Sequence, residues 1–223
     1  MPIYNGVEFF EVSYGSVQSQ TLGDWELIIA VNGHPPNSEI YQRLKTFESD
    51  KVHVYDMPDI KGKSQALNAM VPLCKYDWLA MLDVDDFWEP SKLQIQHGYL
   101  ADYDVIGTSA VAFGRFNLII PTPPGDLQNF DFVKTNPIVN SSTVFKKDIV
   151  HWESEFDGVE DYYLWIKLKQ EGKKFYNVPV ILAHHRLHDG SAYNTTLGQK
   201  MEAWGVNQAT LGNFLLTHMN NKS

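Results

Sequence analysis

The stretch "WLAMLDVDDFWEP", Trp78 to Pro90, places Asp83, Asp85 and Asp86 directly after an apolar run. Like charges this close resist ionising together unless something positive offsets them. A hard divalent cation, Mn²⁺ or Mg²⁺, takes oxygen ligands and would keep positions open for phosphate oxygens. The plain alternative is a charged turn beside a helix N-terminus, where acidic residues are also favoured. The D-x-D pattern has little weight alone, because about one match is expected by chance in such a chain. Indeed "DYD", Asp102 to Asp104, matches equally well. Position separates the two. The first run follows a strand-like segment, the end at which open α/β sheets bind ligands. The second precedes "VIG", a strand's entry side, where acidic residues are usually just solvated.

Three other groups could join the first aspartates. In "GVEDYYLWIKL", Glu160 and Asp161 open a helix with Trp165 and Leu168 on its inner face, although acids in a first turn are also an ordinary N-terminal preference. In "HHRLHDGS", His184, His185 and His188 surround Arg186 just beyond a strand. A neutral imidazole can complete a metal's coordination, and arginine can grip phosphate with two parallel hydrogen bonds. In "KGKSQALN", Lys61 and Lys63 stand before a helix, either facing phosphate or simply exposed.

These groups need a scaffold. Phe10, Tyr14 and Val17 predict a helix from about Glu8 to Gln20, and "WELIIAV" reads as a buried strand. "SEIYQRLKTF" is helical, "KVHVY" alternates like a strand, "SQALNAMV" is helical again, and "DWLAML" is the next strand, with a helix after Pro90. Strand and helix alternate through the first hundred residues, which predicts an α/β domain with a mostly parallel sheet. Later, "VAFGRFNLII" and "SSTVFKK" read as strands, "PTPPGD" as a loop, and "EDYYLWIKLKQEG" as a helix stopped by Gly172. "NVPVILAHHRLH" reads as a strand, and Gln199 to His218 as a closing helix.

The bulk numbers narrow the class. The 223 residues, 43% hydrophobic and 13% aromatic, suit one folded domain with a real core. A formal charge of −9 argues against a phosphate-tracking nucleic-acid groove. The single cysteine, Cys74, leaves no internal disulfide and makes a reducing compartment the default. No apolar run approaches the roughly 18 residues of a membrane span. "MPIYNGVEFF" has neither the basic start nor the apolar centre of a signal peptide. A soluble, cytoplasmic protein is the expectation.

Taken in order, "MPIYNG", "QTLGDWELIIAVNG", "GKSQALNAMV", "WLAMLDVDDFWEPSKL", "GVEDYYLWIKL" and "RLHDGSAYN" resemble the successive motifs of family 2 glycosyltransferases of the GT-A fold. The likeness runs from Met1 to about Asn194 and extends to a viral member of that family. It implies a single GT-A domain over residues 1–223, with a nucleotide-sugar half (1–105), an acceptor and catalytic half (106–196) and a C-terminal helix (197–223). It implies transfer of a hexose from a UDP-sugar to a hydroxyl of a glycan or glycoprotein, with inversion and with Mn²⁺ or Mg²⁺ as cofactor.

On this resemblance, Tyr4 and Asn32 lie at the base-binding end, with Lys63, Trp165 and Arg186 also on the donor side. Asp83 contacts the nucleoside, while Asp85, with His188 and Asp83, holds the metal. Asp161 is the general base, with Glu160 beside it. Two positions depart from the family pattern. Only Met1 precedes "PIYN", where several apolar residues are usual, so the first strand is short or the sequence starts within it, and the turn after the second strand reads Val31-Asn32 where two acids are usual. An asparagine carbonyl can still accept from a uracil N–H.

Rivals fit less well. A nicotinamide enzyme would want G-x-G-x-x-G, which is absent. A haloacid-dehalogenase-type motif would place Thr or Val where Phe87 stands, and a sugar-nucleotide pyrophosphorylase would carry a Gly- and Arg-rich loop near the start. The non-enzyme alternative is a metal-dependent carbohydrate or nucleotide-sugar binding module.

Overall fold

The computed structural model describes residues 1–188 and 198–221. Its first half follows the expected alternation. Strands β1 (Pro2–Ile3), β2 (Leu27–Asn32) and β3 (Val52–Met57) form an all-parallel sheet in that order. All six residues of β2 are buried, as an apolar run covered on both faces requires. Helices α1 (Phe10–Gln18), α2 (Glu39–Lys45) and α3 (Lys63–Met70) connect these strands to one another and to the next sheet. Helix α2 starts where Ser38 Oγ accepts from the Tyr41 amide at 3.3 Å, an ordinary serine N-cap.

The second sheet is mixed rather than mostly parallel. It has the order β4 (Trp78–Ala80), β9 (Val144–Lys146), β6 (Val105–Gly114), β10 (Phe175–Leu187), β5 (Phe87–Trp88). Only β6 and β10 run parallel along this path, over a long register from Phe175↔Val105 to Leu187↔Gly114. The "VAFGRFNLII" strand is really two, because the chain turns at Gly114 (φ +105°) and returns as β7 (Leu118–Ile120) antiparallel to β6. A Cβ at Gly114 would lie 2.8 Å from Leu187 O, so both the turn and the close approach of β10 need glycine. The short strand β8 (Gly125–Asp126) borders β10, inside the segment expected as a loop.

Helix α5 (Glu160–Gln170) supplies the main core, with Tyr162, Tyr163, Leu164, Trp165, Ile166 and Leu168 all buried. The expected closing helix is broken into α6 (Gly198–Trp204) and α7 (Gln208–Asn220). Gly205 at φ +66° ends the first, and Asn207 with Thr210 forms a capping box that starts the second. Helix α7 packs on α5 at Gly212, where a Cβ would come within 2.0 Å of Val133 O. A largely apolar cavity of about 420 Å³ lies between the two sheets, bordered by Leu27 and Ile28 of β2 and Leu79 and Met81 near β4. None of the aspartates or histidines of the motifs discussed next lines it. No helix among the described residues is long and apolar enough to cross a membrane.

Candidate active site

Lys63 is where the separate motifs meet. It opens α3, and its Nζ lies 2.9 Å from Asp83 Oδ1 and 3.2 Å from Glu160 Oε1. Burial disfavours the ammonium, yet Asp83 and Glu160 outweigh it and hold the Lys63 pKa well above the ordinary lysine value. The same end of α3 is tied to the loop before α5. Asp157 Oδ1 accepts from the Ser64 amide at 2.9 Å, acting as a cap supplied from far along the chain. Gly62 (φ +90°) makes room for it, since a Cβ there would stand 2.3 Å from Asp157 Oδ2. One turn on, Asn68 exchanges two hydrogen bonds with the Trp152 backbone, at 2.7 and 3.0 Å.

Asp83 is gripped from two sides. Its other oxygen, Oδ2, accepts from Asn140 Nδ2 at 3.2 Å, and its amide donates to Ser141 Oγ at 3.1 Å. Burial would raise its pKa, but Lys63 and Asn140 hold it below the usual carboxylate value. Asp83 thus has a donor of the protein on each oxygen, Lys63 on one and Asn140 on the other.

The three histidines of "HHRLH" go to three different carboxylates. His188 Nε2 is 2.9 Å from Asp85 Oδ2, His185 Nδ1 is 3.1 Å from Asp86 Oδ2, and His184 Nε2 is 2.7 Å from Glu89 Oε1. Burial opposes a charge on His185, but Asp86, Asp85 and Asp83 raise its pKa to about 9, so it serves as a cation for buried Asp86. Asp86 also accepts the Arg186 amide at 2.8 Å. Among the described residues neither Asp85 nor Asp86 has a lysine or arginine side chain on its carboxylate, and burial, followed by Asp86 and Asp83, raises the pKa of Asp85.

For Mn²⁺ or Mg²⁺, the chemistry of the donor set gives a partial fit. Asp85 and His188 offer an oxygen and a nitrogen 2.9 Å apart, close to the roughly 3 Å between neighbouring ligands of an octahedral ion with 2.0–2.1 Å bonds. Among the described residues no group of three His, Cys, Asp or Glu side chains could hold a metal. A bound ion would therefore take most of its ligands from donor phosphate and water, as Mg²⁺ commonly does.

Arg186 is held flat between two rings. Its guanidinium carbon lies 4.4 Å from the Phe9 centroid and 4.4 Å from the Phe113 centroid, while its Nε donates to Asp85 O at 2.9 Å. No carboxylate takes its terminal nitrogens among the described residues. Asp161, beside Glu160 at the start of α5, has its pKa raised to about 6 by burial and by Glu160, with Lys63 opposing. Asn136 Nδ2 donates to its Oδ2 at 3.3 Å. Glu160 is pinned between Lys63 and the Gly158 amide, at 2.6 Å.

The remaining expectations divide. Tyr4 is exposed and stacks obliquely on His34, with ring centroids 5.1 Å apart. Asn32, at the end of β2, is buried, and its Nδ2 faces Ile60 O at 3.5 Å. Trp165 does not line a site. It is fully buried among the core rings Phe145 and Phe175, because α5 turns that position toward the second sheet and leaves Asp161 at its open end. Lys61 is exposed. Residues 189–194 of the last motif lie outside the described residues. Sequence reasoning missed Asn136, Asn140, Ser141 and Asp157. The "VNSS" and "FDG" runs that carry three of them are turn-forming, and that was their only signal.

Comparison with known proteins bears on the fold and the family. The family model described as "Glycosyl transferase family 2" matches residues 1–148. An O-antigen biosynthesis glycosyltransferase, WbnJ of Escherichia coli, is 29% identical over 209 residues, 88% of this chain and 82% of its own length. A second Escherichia coli protein, the UDP-Glc:alpha-D-GlcNAc-diphosphoundecaprenol beta-1,3-glucosyltransferase WfgD, is 24% identical over 226 residues, 96% of this chain and 85% of WfgD. Among solved structures, S. aureus TarS 1-349 in complex with UDP-GlcNAc superposes with a TM-score of 0.69 at 12% identity, covering 87% of this chain and 59% of that one. The mannosyltransferase PcManGT from Pyrobaculum calidifontis, in complex with GDP-Man and Mn²⁺, gives 0.67 at 14% identity, covering 95% of this chain and 64% of its own. The chain thus spans less than two thirds of these solved structures. A scaffold of the GT-A type, ordered motifs gathered around Lys63 and a family model matched over most of the chain lead to one assignment: the protein belongs to glycosyltransferase family 2.

Proposed function

We propose that the chain moves a hexose from a UDP-sugar to a hydroxyl of a glycan or glycoprotein acceptor, with inversion at the anomeric carbon. The observation that carries this reading is the double bridge of Lys63, which puts donor-side Asp83 and Glu160, the neighbour of Asp161, around one ammonium. The UDP-sugar assignment is supported by the UDP-GlcNAc complex of TarS and by the donor in WfgD's name. The Mn²⁺ in PcManGT supports a metal.

In this reading Tyr4 and Asn32 face the base, and Asp83, fixed by Lys63 and Asn140, accepts from the nucleoside. Asp85 and His188 would hold Mn²⁺ or Mg²⁺, which when bound would neutralise charge on the donor diphosphate. Arg186, clamped between Phe9 and Phe113, adds a fixed positive charge for the leaving diphosphate without reorganising. Asp161 takes the proton of the acceptor hydroxyl as its oxygen attacks the anomeric carbon. The bond from that carbon to the diphosphate breaks, and UDP carries away the electron pair. A base whose pKa is about 6 is ionised at neutral pH yet basic enough to assist.

The test is release of UDP from a panel of UDP-sugars with candidate acceptors, with Mn²⁺ and with EDTA. Acceptor-dependent release that needs metal supports the reading. Binding of UDP-sugars without release under any acceptor would favour a binding module instead.

A further inference from the structure

Three buried side chains that no step above uses converge on the turn Asn140–Ser142. Gln96 of α4 (Lys92–His97) donates through Nε2 to Ser142 O at 2.9 Å and to Ile106 O at 2.7 Å. Its Oε1 accepts from Lys92 Nζ at 2.8 Å. Trp88 Nε1 donates to Ser141 O at 2.6 Å, and Lys92 Nζ lies 4.1 Å from the Trp88 ring centroid. Lys92, Gln96 and Ser142 are fully buried. This same turn presents Asn140 Nδ2 and Ser141 Oγ to Asp83, and Ser142 Oγ accepts the Thr108 amide at 3.2 Å.

Lys92 is the unexpected member. It has no carboxylate partner among the described residues, and burial alone pushes its pKa well down. An apolar side chain would fill the space without that desolvation cost. What the amine adds is a donor on Gln96 Oε1. A side-chain amide can flip, and only one orientation aims both of its N–H groups at carbonyls. Lys92 selects that orientation.

We propose that Gln96, oriented by Lys92, is a positioning residue for the donor: it fixes the Asn140–Ser142 turn and through it the carboxylate of Asp83. The proposal rests on Asp83 being a donor contact, as argued above. The Gln96 side chain bonds Lys92, Ile106 O and Ser142 O and not Asp83, so a change at position 96 acts on the aspartate by loosening the turn.

The test uses Gln96→Met and Lys92→Met in the full chain, with two readouts. The first is amide hydrogen exchange at Asp83 and Thr108, which needs no substrate. The second is the KM for the UDP-sugar measured apart from kcat. Gln96→Met should speed exchange at both amides by about 10-fold or more and raise donor KM by roughly 5–20-fold, with kcat within about 2-fold. Lys92→Met should move both in the same direction by a smaller factor. In an Asn140→Ala background, Gln96→Met should raise KM by less than it does alone, because both act through the turn's hold on Asp83.

Unchanged exchange and KM in folded Gln96→Met, or effects that multiply independently with Asn140→Ala, would overturn the proposal. If Gln96→Met does not fold, Lys92→Met decides by the same readouts. If the wild-type chain binds no UDP-sugar, the transferase reading falls, and exchange at Asp83 and Thr108 decides the positioning role alone.

Discussion

The chain contains the same three-letter pattern twice, and the two copies have opposite surroundings. At Asp83–Asp85, the carboxylates follow β4, lie under other segments, and face Lys63, Asn140 and His188. At Asp102–Asp104, Asp102 is exposed, and Asp104 sits 2.7 Å from Lys146 and accepts the Lys174 amide at 2.9 Å. Burial opposes ionisation of Asp104, but Lys146 and the Lys174 amide lower its pKa, so its charge is met at the edge of the sheet. Asp85 lacks such a lysine and its pKa is raised. The pattern is the same; the difference lies at Asp85, where the protein supplies no lysine as it does at Asp83 and Asp104.

The sharpest way to break this contrast is at the base and the expected metal ligand. Asp161→Asn should cut transfer by about 10² or more while leaving UDP-sugar affinity within a few-fold. The wild type should lose kcat/KM about tenfold per pH unit below the Asp161 pKa of about 6, and the variant should lack that limb. A pH-independent wild type over pH 5 to 7.5 would remove Asp161 as the base. Asp85→Ala should abolish most of the metal-dependent part of donor binding in calorimetry, and equal wild-type affinity in Mn²⁺ and EDTA would sink the metal assignment.

Lys63→Met comes next. It strands Asp83 and Glu160 in a buried place, and breaking a buried pair this way typically costs about 3–5 kcal/mol, read as a lower midpoint in chemical denaturation at neutral pH. Asp161→Asn should show the opposite sign. The folded pKa of about 6 lies above the ordinary aspartate value of 3.8, so the folded state holds its proton longer than the unfolded chain does. Stability falls as pH rises between those values, and the loss is complete above about 6. The variant should therefore be more stable than wild type at pH 7.5, with the gap closing below pH 4. The smallest effect belongs to the second D-x-D. Asp102→Ala and Asp104→Ala should keep normal transfer, and Asp104→Ala should cost only about 1 kcal/mol of stability.

Much of this contrast was legible before any coordinates. Strand-end position separated the two runs, because β4 and β6 could be read from apolar content and their direction from chain order. The lysine, the Glu-Asp pair and the histidines could be named one by one. What could not be read was their pairing. Nothing local says that His185 takes Asp86 while His188 takes Asp85, since neighbouring residues on a strand differ only in which face they meet. Trp165 was misplaced for a similar reason: a large aromatic one turn from the Glu-Asp pair suits a sugar platform or a core equally well, and only the packing of α5 decides. The second sheet's antiparallel pairings were hidden because β4, β5 and β9 are too short to carry a periodic signal.

The cap that Asp157 places on α3 has a consequence for how the protein comes into being. Its bond to Ser64 spans 93 residues of chain, the Asn68–Trp152 pair 84, and the Asp85–His188 pair 103. Contacts this distant in sequence pay their loop-closure entropy before they return any stability, which slows folding. During synthesis the parallel sheet can form early, but α3 emerges without its cap and Lys63 without Glu160. The site is thus among the last parts to be completed, and until residue 188 has been made the chain can be partly folded but holds no assembled active site.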